Sequence, residues 1–194
     1  MKRPHQKSTS PWTPETFAQL YDRYFPRRYA YIAYRVGHVQ DAEDLVAETF
    51  LRIIQGLQHF QPQHESSLEV WLFRIAHNLV IDFYRRNEGQ SVTLSLDRLP
   101  EFRDTALPSE ELYTRQETNE RLHQLINSLS TRRKEVITLK FFGQLRNQAI
   151  AEILELDERT VASHLCRGLK ELQRHLTTEP DSNETGSTRD ESAI

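Results

Sequence analysis

Between Leu145 and Leu172 the chain reads LRNQAIAEILELDERTVASHLCRGLKEL, and its polar residues are spaced for touching a nucleic acid. Read as a helix from about 158 onward, this stretch presents Arg159, Thr160, Ala162, Ser163, His164, Arg167 and Lys170 outward. Short polar side chains near a helix N-terminus can reach base edges in a major groove, while later cations meet phosphate. Asp157 is placed to cap that helix by accepting a bond from the Thr160 amide. Val161, Leu165, Leu169 and Leu172 supply its expected buried stripe. Ahead of it, Ile150, Ile153 and Leu154 recur at helical spacing, with Ala149 and Ala151 small enough for close packing and Leu156 plugging the turn. The result is a helix-turn-helix. An ordinary two-helix hairpin with a solvated polar face obeys the same grammar.

Two further groups of residues could do recognition chemistry. In WLFRIAHNLVIDFYRR (71–86), Arg74, His77, Asn78, Arg85 and Arg86 offer cations and amide contacts, and Trp71, Phe73 and Tyr84 are interleaved aromatics. Cations beside stacking rings suit single-stranded DNA, where stacking contributes about 1–3 kcal/mol per base. Trp71 reads better as core than as a base stacker, and Asp82 as a residue that fixes neighbouring helices. In DAEDLVAETFLRI (41–53), Asp44, Ala47, Glu48 and Leu51 make an outward stripe, acidic with an apolar centre. Such a stripe fits a basic helical partner better than water. Catalysis finds no comparable support. The eight histidines lack metal-ligand spacing, and there is no Gly-rich phosphate loop and no GxSxG. The expectation is a non-enzyme with no cofactor and no metal.

The elements that must position these groups are helices. Thr13-Pro14-Glu15 is a helix start, followed on one face by Phe17, Leu20, Tyr21 and Tyr24; Pro26 should kink or break the helix before Tyr29, Ile32, Ala33 and Val36 resume the period. Gly37 and His38 end it. A second helix buries Ala42, Leu45, Val46, Thr49, Phe50, Ile53, Ile54 and Leu57. After a polar loop at 61–67, a third helix from about Leu68 to Arg86 buries Leu68, Leu72, Ile75, Leu79 and Phe83. Residues 87–120 have weak periodicity, with a short helix expected near 109–120. Two helices, RLHQLINSL and TRRKEVITLKFF with Ser130 as cap, then lead into the helix-turn-helix. The expected fold is all-α: two small helical domains, 13–87 and 119–176, joined by a flexible acidic linker at 88–118. Disordered ends are expected at 1–12 and 177–194.

The net charge of −3 conceals an uneven distribution. From Asp97 to Glu120 seven acids face three arginines, and from Thr178 onward five acids face Arg189, so each stretch carries −4 and the remainder +5. The two folded parts are therefore mildly basic. Cys166 is the single cysteine, which excludes an internal disulfide and fits a reducing cytoplasm; it reads as a bystander. No apolar run approaches the ~20 residues of a membrane span, and MKRPHQKSTSPW lacks the apolar stretch of a secretory signal.

Three blocks in order, DAEDLVAETFLRI, WLFRIAHNLVIDFYRR and TVASHLCRGLKEL, resemble a bacterial RNA polymerase sigma factor of the extracytoplasmic-function (ECF) class, over roughly 14–87 and 119–176. The resemblance implies that Asp44, Ala47, Glu48 and Leu51 dock on the polymerase clamp. It assigns the downstream promoter element to Arg74, His77, Asn78, Tyr84, Arg85 and Arg86, and places a pocket for a flipped base near the 61–67 loop. The upstream element goes to Arg159, Thr160, Ala162, Ser163, His164, Arg167 and Lys170. The implied partners are core RNA polymerase and promoter DNA, with an anti-sigma protein left open, in the cytoplasm and without membrane insertion. The chain departs from the family pattern at Ala47 (usually Gln), Arg146 (a Ser/Thr cap, with Asn147 as substitute), Glu155 (the turn glycine), His164 (often Arg) and Gly168 (often Ala). Two rivals remain. One is a one-component regulator that binds duplex DNA and does not serve polymerase as an initiation factor. The other is an adaptor that binds protein alone, which the recognition helix disfavours.

Overall fold

The computed structural model describes residues 13–61, 65–87 and 109–178, which form seven helices and, among the described residues, no strand. The expected disordered ends, except Thr177 and Thr178, which are helical, most of the linker and part of the 61–67 loop lie outside the described residues. No helix among those described is long and apolar enough to cross a membrane.

Helix α1 (Pro14–Val36) starts where Thr13 accepts a bond from the Thr16 amide at 3.3 Å, with Pro14 in the first turn. It closes on Gly37 at φ 78°, a left-handed cap that glycine adopts without penalty. Contrary to expectation, α1 runs unbroken through Pro26. An internal proline costs about 3 kcal/mol. Burial of Leu20, Tyr24, Tyr31 and Ile32 on both sides of it, together with the Tyr21–Phe25–Tyr29 ring stack, offsets that cost. Arg28 is also fully buried on α1. Its guanidinium lies 4.5 Å from the Phe50 ring centroid, and desolvation lowers its pKa to about 10.

Helices α2 (Val39–Leu57) and α3 (Glu65–Asn87) pack on each other and on α1. The expected α2 face is buried, with one exception. Ile54 is 50 % exposed, because it lies a further 100° around the helix from fully buried Ile53. Helix α3 is buried on two sides. Leu72 and Leu79 belong to the predicted stripe, while Phe73, Ala76, His77 and Val80 form a second stripe that periodicity did not single out. Ring packing of Trp71 on Phe60 at 4.7 Å bears out its structural assignment.

Helix α4 (Ser109–Ser128) takes the last ten residues of the expected linker and the RLHQLINS segment into one helix. Helices α5 (Thr131–Phe141), α6 (Asn147–Leu154) and α7 (Glu158–Thr178) follow. Ser130 occupies the N-cap position of α5, without a side-chain bond. Gly168 is buried against α5, where a Cβ would stand 3.1 Å from Ile137. That close approach sets the face of α7: Val161 and Gly168 are buried, and Leu165 and Leu172 half-buried. Leu169, expected in the stripe, is turned outward and 42 % exposed.

The two halves pack together, α1 on α5 and α3 on α6. Across the contact Tyr34 stacks on Phe142 at 3.8 Å and its hydroxyl donates to Asn119 at 3.2 Å. Arg27 donates to the Gly143 carbonyl at 2.6 and 2.9 Å and to that of Gln144 at 3.0 Å. The second stripe of α3 is buried because this contact and α1 enclose it; sequence periodicity carries no trace of a partner more than sixty residues away.

Candidate polymerase and nucleic-acid interfaces

On α2, Asp44 and Ala47 are exposed, Leu51 is 56 % exposed, and Glu48 pairs with Arg52 at 2.9 Å. The stripe is therefore less acidic than composition suggested, since Arg52 screens Glu48. It is also more apolar, because Ile54 extends the surface by one turn beyond Leu51. Nothing in a period-based reading marks Ile54, as it fits the buried face equally well. Asp44 and Glu48 border a cavity of about 410 Å³ between α2 and the end of α3, lined also by Asp41, Arg52, Phe83 and Arg86. An apolar ridge beside a groove holding three carboxylates can receive a helix that carries both apolar and basic side chains.

On α3 the expected residues divide. Arg74, Asn78 and Arg85 are exposed at i, i+4 and i+11, with half-exposed Ile81 between them and exposed Arg86 beside them. Arg85 pairs with Asp82 at 3.0 Å, a contact within α3 rather than the tie to a neighbouring helix expected of that carboxylate. His77 and Tyr84 do not join this stripe. The outward placement of His77 is corrected: it is buried, and its Nδ1 lies 3.2 Å from the Tyr31 hydroxyl. Burial, then the charges of Arg35 and Arg132, lower its pKa to about 4, so the ring is neutral. Tyr84 donates its hydroxyl to the Arg35 carbonyl, and the Arg35 guanidinium lies over its ring at 5.5 Å. Both side chains are committed to α1.

In the helix-turn-helix, Asp157 accepts from the Thr160 amide at 2.7 Å and from its hydroxyl at 2.5 Å, and these bonds hold its carboxyl below the ordinary value. Glu155 takes the left-handed turn position at φ 55°, where a glycine would be unstrained. Gln144, at φ 53°, makes a second left-handed turn that the sequence reading missed. Arg146 caps α6 without a side-chain bond, and Asn147 is no substitute, because its amide oxygen accepts from Lys140 at 2.9 Å. Arg159, Ala162, Arg167 and Lys170 are exposed on α7, and Thr160, Ser163 and His164 are half-buried. Partial burial and then the cations Arg132, Arg167 and Arg133 push the His164 pKa down. Cys166 is exposed. Among the described residues no group of three His, Cys, Asp or Glu side chains could hold a metal.

The described residues thus carry an exposed acidic-apolar stripe on α2, an exposed cationic stripe on α3 and a helix-turn-helix in α6 and α7. Residues 20–90 match Sigma-70 region 2 and residues 119–172 match Sigma-70, region 4. The chain is 30 % identical over 164 residues to the RNA polymerase sigma factor YlaC of Bacillus subtilis, spanning 84 % of this chain and 93 % of that protein. It is 29 % identical over 165 residues to the ECF RNA polymerase sigma factor SigX of the same organism, spanning 84 % of each. Among solved structures, CnrH in complex with the cytosolic domain of CnrY shares the fold with a TM-score of 0.63, at 24 % identity over 87 % of this chain and 92 % of that one. The sigma factor RpoE of Bartonella quintana, in complex with the anti-sigma factor NepR, does so with a TM-score of 0.60, at 22 % identity over 86 % of this chain and 99 % of that one. The chain belongs to the ECF class of RNA polymerase sigma factors. It is a non-enzymatic factor that directs promoter-specific transcription initiation with core RNA polymerase.

Proposed function

We propose that the work of initiation is divided among the three surfaces. The α2 ridge of Asp44, Ala47, Glu48 and Leu51, extended by Ile54, docks on core polymerase. The α3 stripe of Arg74, Asn78, Arg85 and Arg86 holds the melted downstream element. Arg159, Thr160, Ala162, Ser163 and His164 face upstream base edges, and Arg167 and Lys170 meet phosphate. His77 and Tyr84 serve by fixing α3 on α1. The working units are 13–87 and 119–176, with 88–118 joining them and α4 already helical at its end.

The observation that carries this division is the pair Leu51 and Ile54, both at least half-exposed beside carboxylates on the outer face of α2. A regulator that only binds duplex DNA has no use for such a ridge. The α3 stripe supports the same choice, because cations and an amide flanking an apolar side chain suit an unstacked strand. Work with polymerase and promoter places the protein in the cytoplasm. The RpoE–NepR complex supports adding an anti-sigma protein to the partners of this chain. Run-off transcription with core polymerase, on templates selected by this protein, tests the reading. Promoter-dependent transcripts are expected, and DNA binding without any transcript refutes it.

A further inference from the structure

Both lysines of α5 are half-buried and both donate to an asparagine amide oxygen, but they stand at opposite ends of the helix. Lys140 lies in the last turn, where the negative end of the helix dipole favours an ammonium, and it donates to Asn147 at 2.9 Å. Lys134 is the fourth residue of α5, at the positive end, and donates to the Asn127 Oδ1 at 2.8 Å. Asn127 in turn donates through Nδ2 to the Nδ1 of His123, which is buried on α4, at 2.9 Å. The adjacent carboxylate, Glu135, is turned to Arg132 at 2.9 Å and to Arg35 at 3.9 Å. Lys134 has no ion pair among the described residues, and Arg35 of α1 adds a second positive charge nearby.

An ammonium held this way gives up its proton easily. Burial, and then the charge of Arg35, lower the Lys134 pKa to about 8. About a quarter of such an amine is free at pH ~7.5, against about 0.1 % at the ordinary value near 10.4. Desolvation beside another cation is one of the ways proteins make a lysine nucleophilic. The surroundings also select the electrophile. A half-buried amine admits a small reagent, and a pocket of cations and neutral amides favours a product that carries negative charge. We propose that Lys134 is a carbamylation site, at which carbon dioxide adds reversibly to Nζ where α1, α4 and α5 meet. The nitrogen lone pair forms the N–C bond, one C=O π pair moves onto oxygen, and a nitrogen proton leaves to water. The product is a carbamate anion whose remaining N–H can go on donating to Asn127. It supplies a negative charge beside Arg35, whose pair with Glu135 is too long for a hydrogen bond and whose Nε has no partner. Dissolved carbon dioxide then stabilises the folded chain by mass action.

The full chain, equilibrated with carbon-13 bicarbonate in a closed vessel at pH ~7.5, is trapped with triethyloxonium ion and digested, and carbamate on each lysine is quantified by mass spectrometry. Lys134 should carry about tenfold more label than Lys140 or exposed Lys170. Asn127→Asp sets a carboxylate beside the ammonium and keeps it charged, so label on Lys134 should fall about tenfold. Under the same gas the wild-type Tm should rise, while Lys134→Arg and Asn127→Asp should not respond. Equal label on Lys134, Lys140 and Lys170 overturns the site, and that comparison within the wild type holds whether or not the variants fold. Undiminished label on Lys134 in folded Asn127→Asp overturns it as well. A wild-type Tm indifferent to carbon dioxide while Lys134 is labelled overturns the stabilisation of the carbamate by its surroundings.

Discussion

Removing the apolar ridge of α2 should cost polymerase affinity and almost nothing in stability. Leu51 is 56 % exposed and Ile54 50 % exposed, so about half of each side chain is still available for burial by a partner. Full burial of such a side chain stabilises by about 1.5–3 kcal/mol, so each contributes about 1 kcal/mol if the ridge is covered. Leu51→Ala/Ile54→Ala should therefore lose about 2 kcal/mol of binding, close to thirtyfold in Kd. The neighbouring Ile53 is the control. It is fully buried, and Ile53→Ala should cost about 2–5 kcal/mol of folding stability. The assay pairs fluorescence titration of core polymerase with thermal unfolding of each variant. A double variant that binds core polymerase within threefold of wild type, at unchanged Tm, refutes the docking role. A large fall in its Tm refutes the placement of the two side chains.

Charge reversal by Asp44→Lys should weaken core polymerase binding more than Glu48→Lys, because Arg52 already screens Glu48; both should leave Tm nearly unchanged. Substituting Ser163 or His164 should change which upstream bases are recovered in selection, with about 1–3 kcal/mol at stake per base contact. Arg167→Ala or Lys170→Ala should instead weaken all sites alike and lower the salt slope by about 1. Acid should destabilise the fold through His77. Its folded pKa of about 4 lies below the unfolded value of about 6.5, so the unfolded chain takes up the proton first. Stability should fall as pH drops from about 6.5 to 4, by up to about 1.4 kcal/mol per pH unit. His77→Gln should flatten that part of a denaturant-unfolding pH series, and an unchanged slope would rule His77 out as its source.

What could be read without coordinates was whatever chemistry is local in the chain. The Asp157 cap, the Thr13-Pro14 start, the Glu155 turn and most of the buried face of α2 each depend on residues within one or two helical turns. Over that range backbone geometry and side-chain spacing are rigidly linked. The separation into an acidic-apolar helix, a cationic-aromatic helix and a helix-turn-helix was legible for the same reason. Tertiary structure alone decided which side chains of α3 face outward. His77 and Arg74 are both polar and three residues apart, and only the positions of α1 and α6 bury the one and leave the other exposed. Ile54 and Leu169 sit at the margins of their apolar faces, and the angle at which a neighbouring helix approaches sends each to solvent. The ties of Arg27 to Gly143, Arg35 to Glu135 and Tyr34 to Phe142 join residues about a hundred positions apart. No period of 3.6 residues encodes such a contact, because it arises only once two folded surfaces exist to meet.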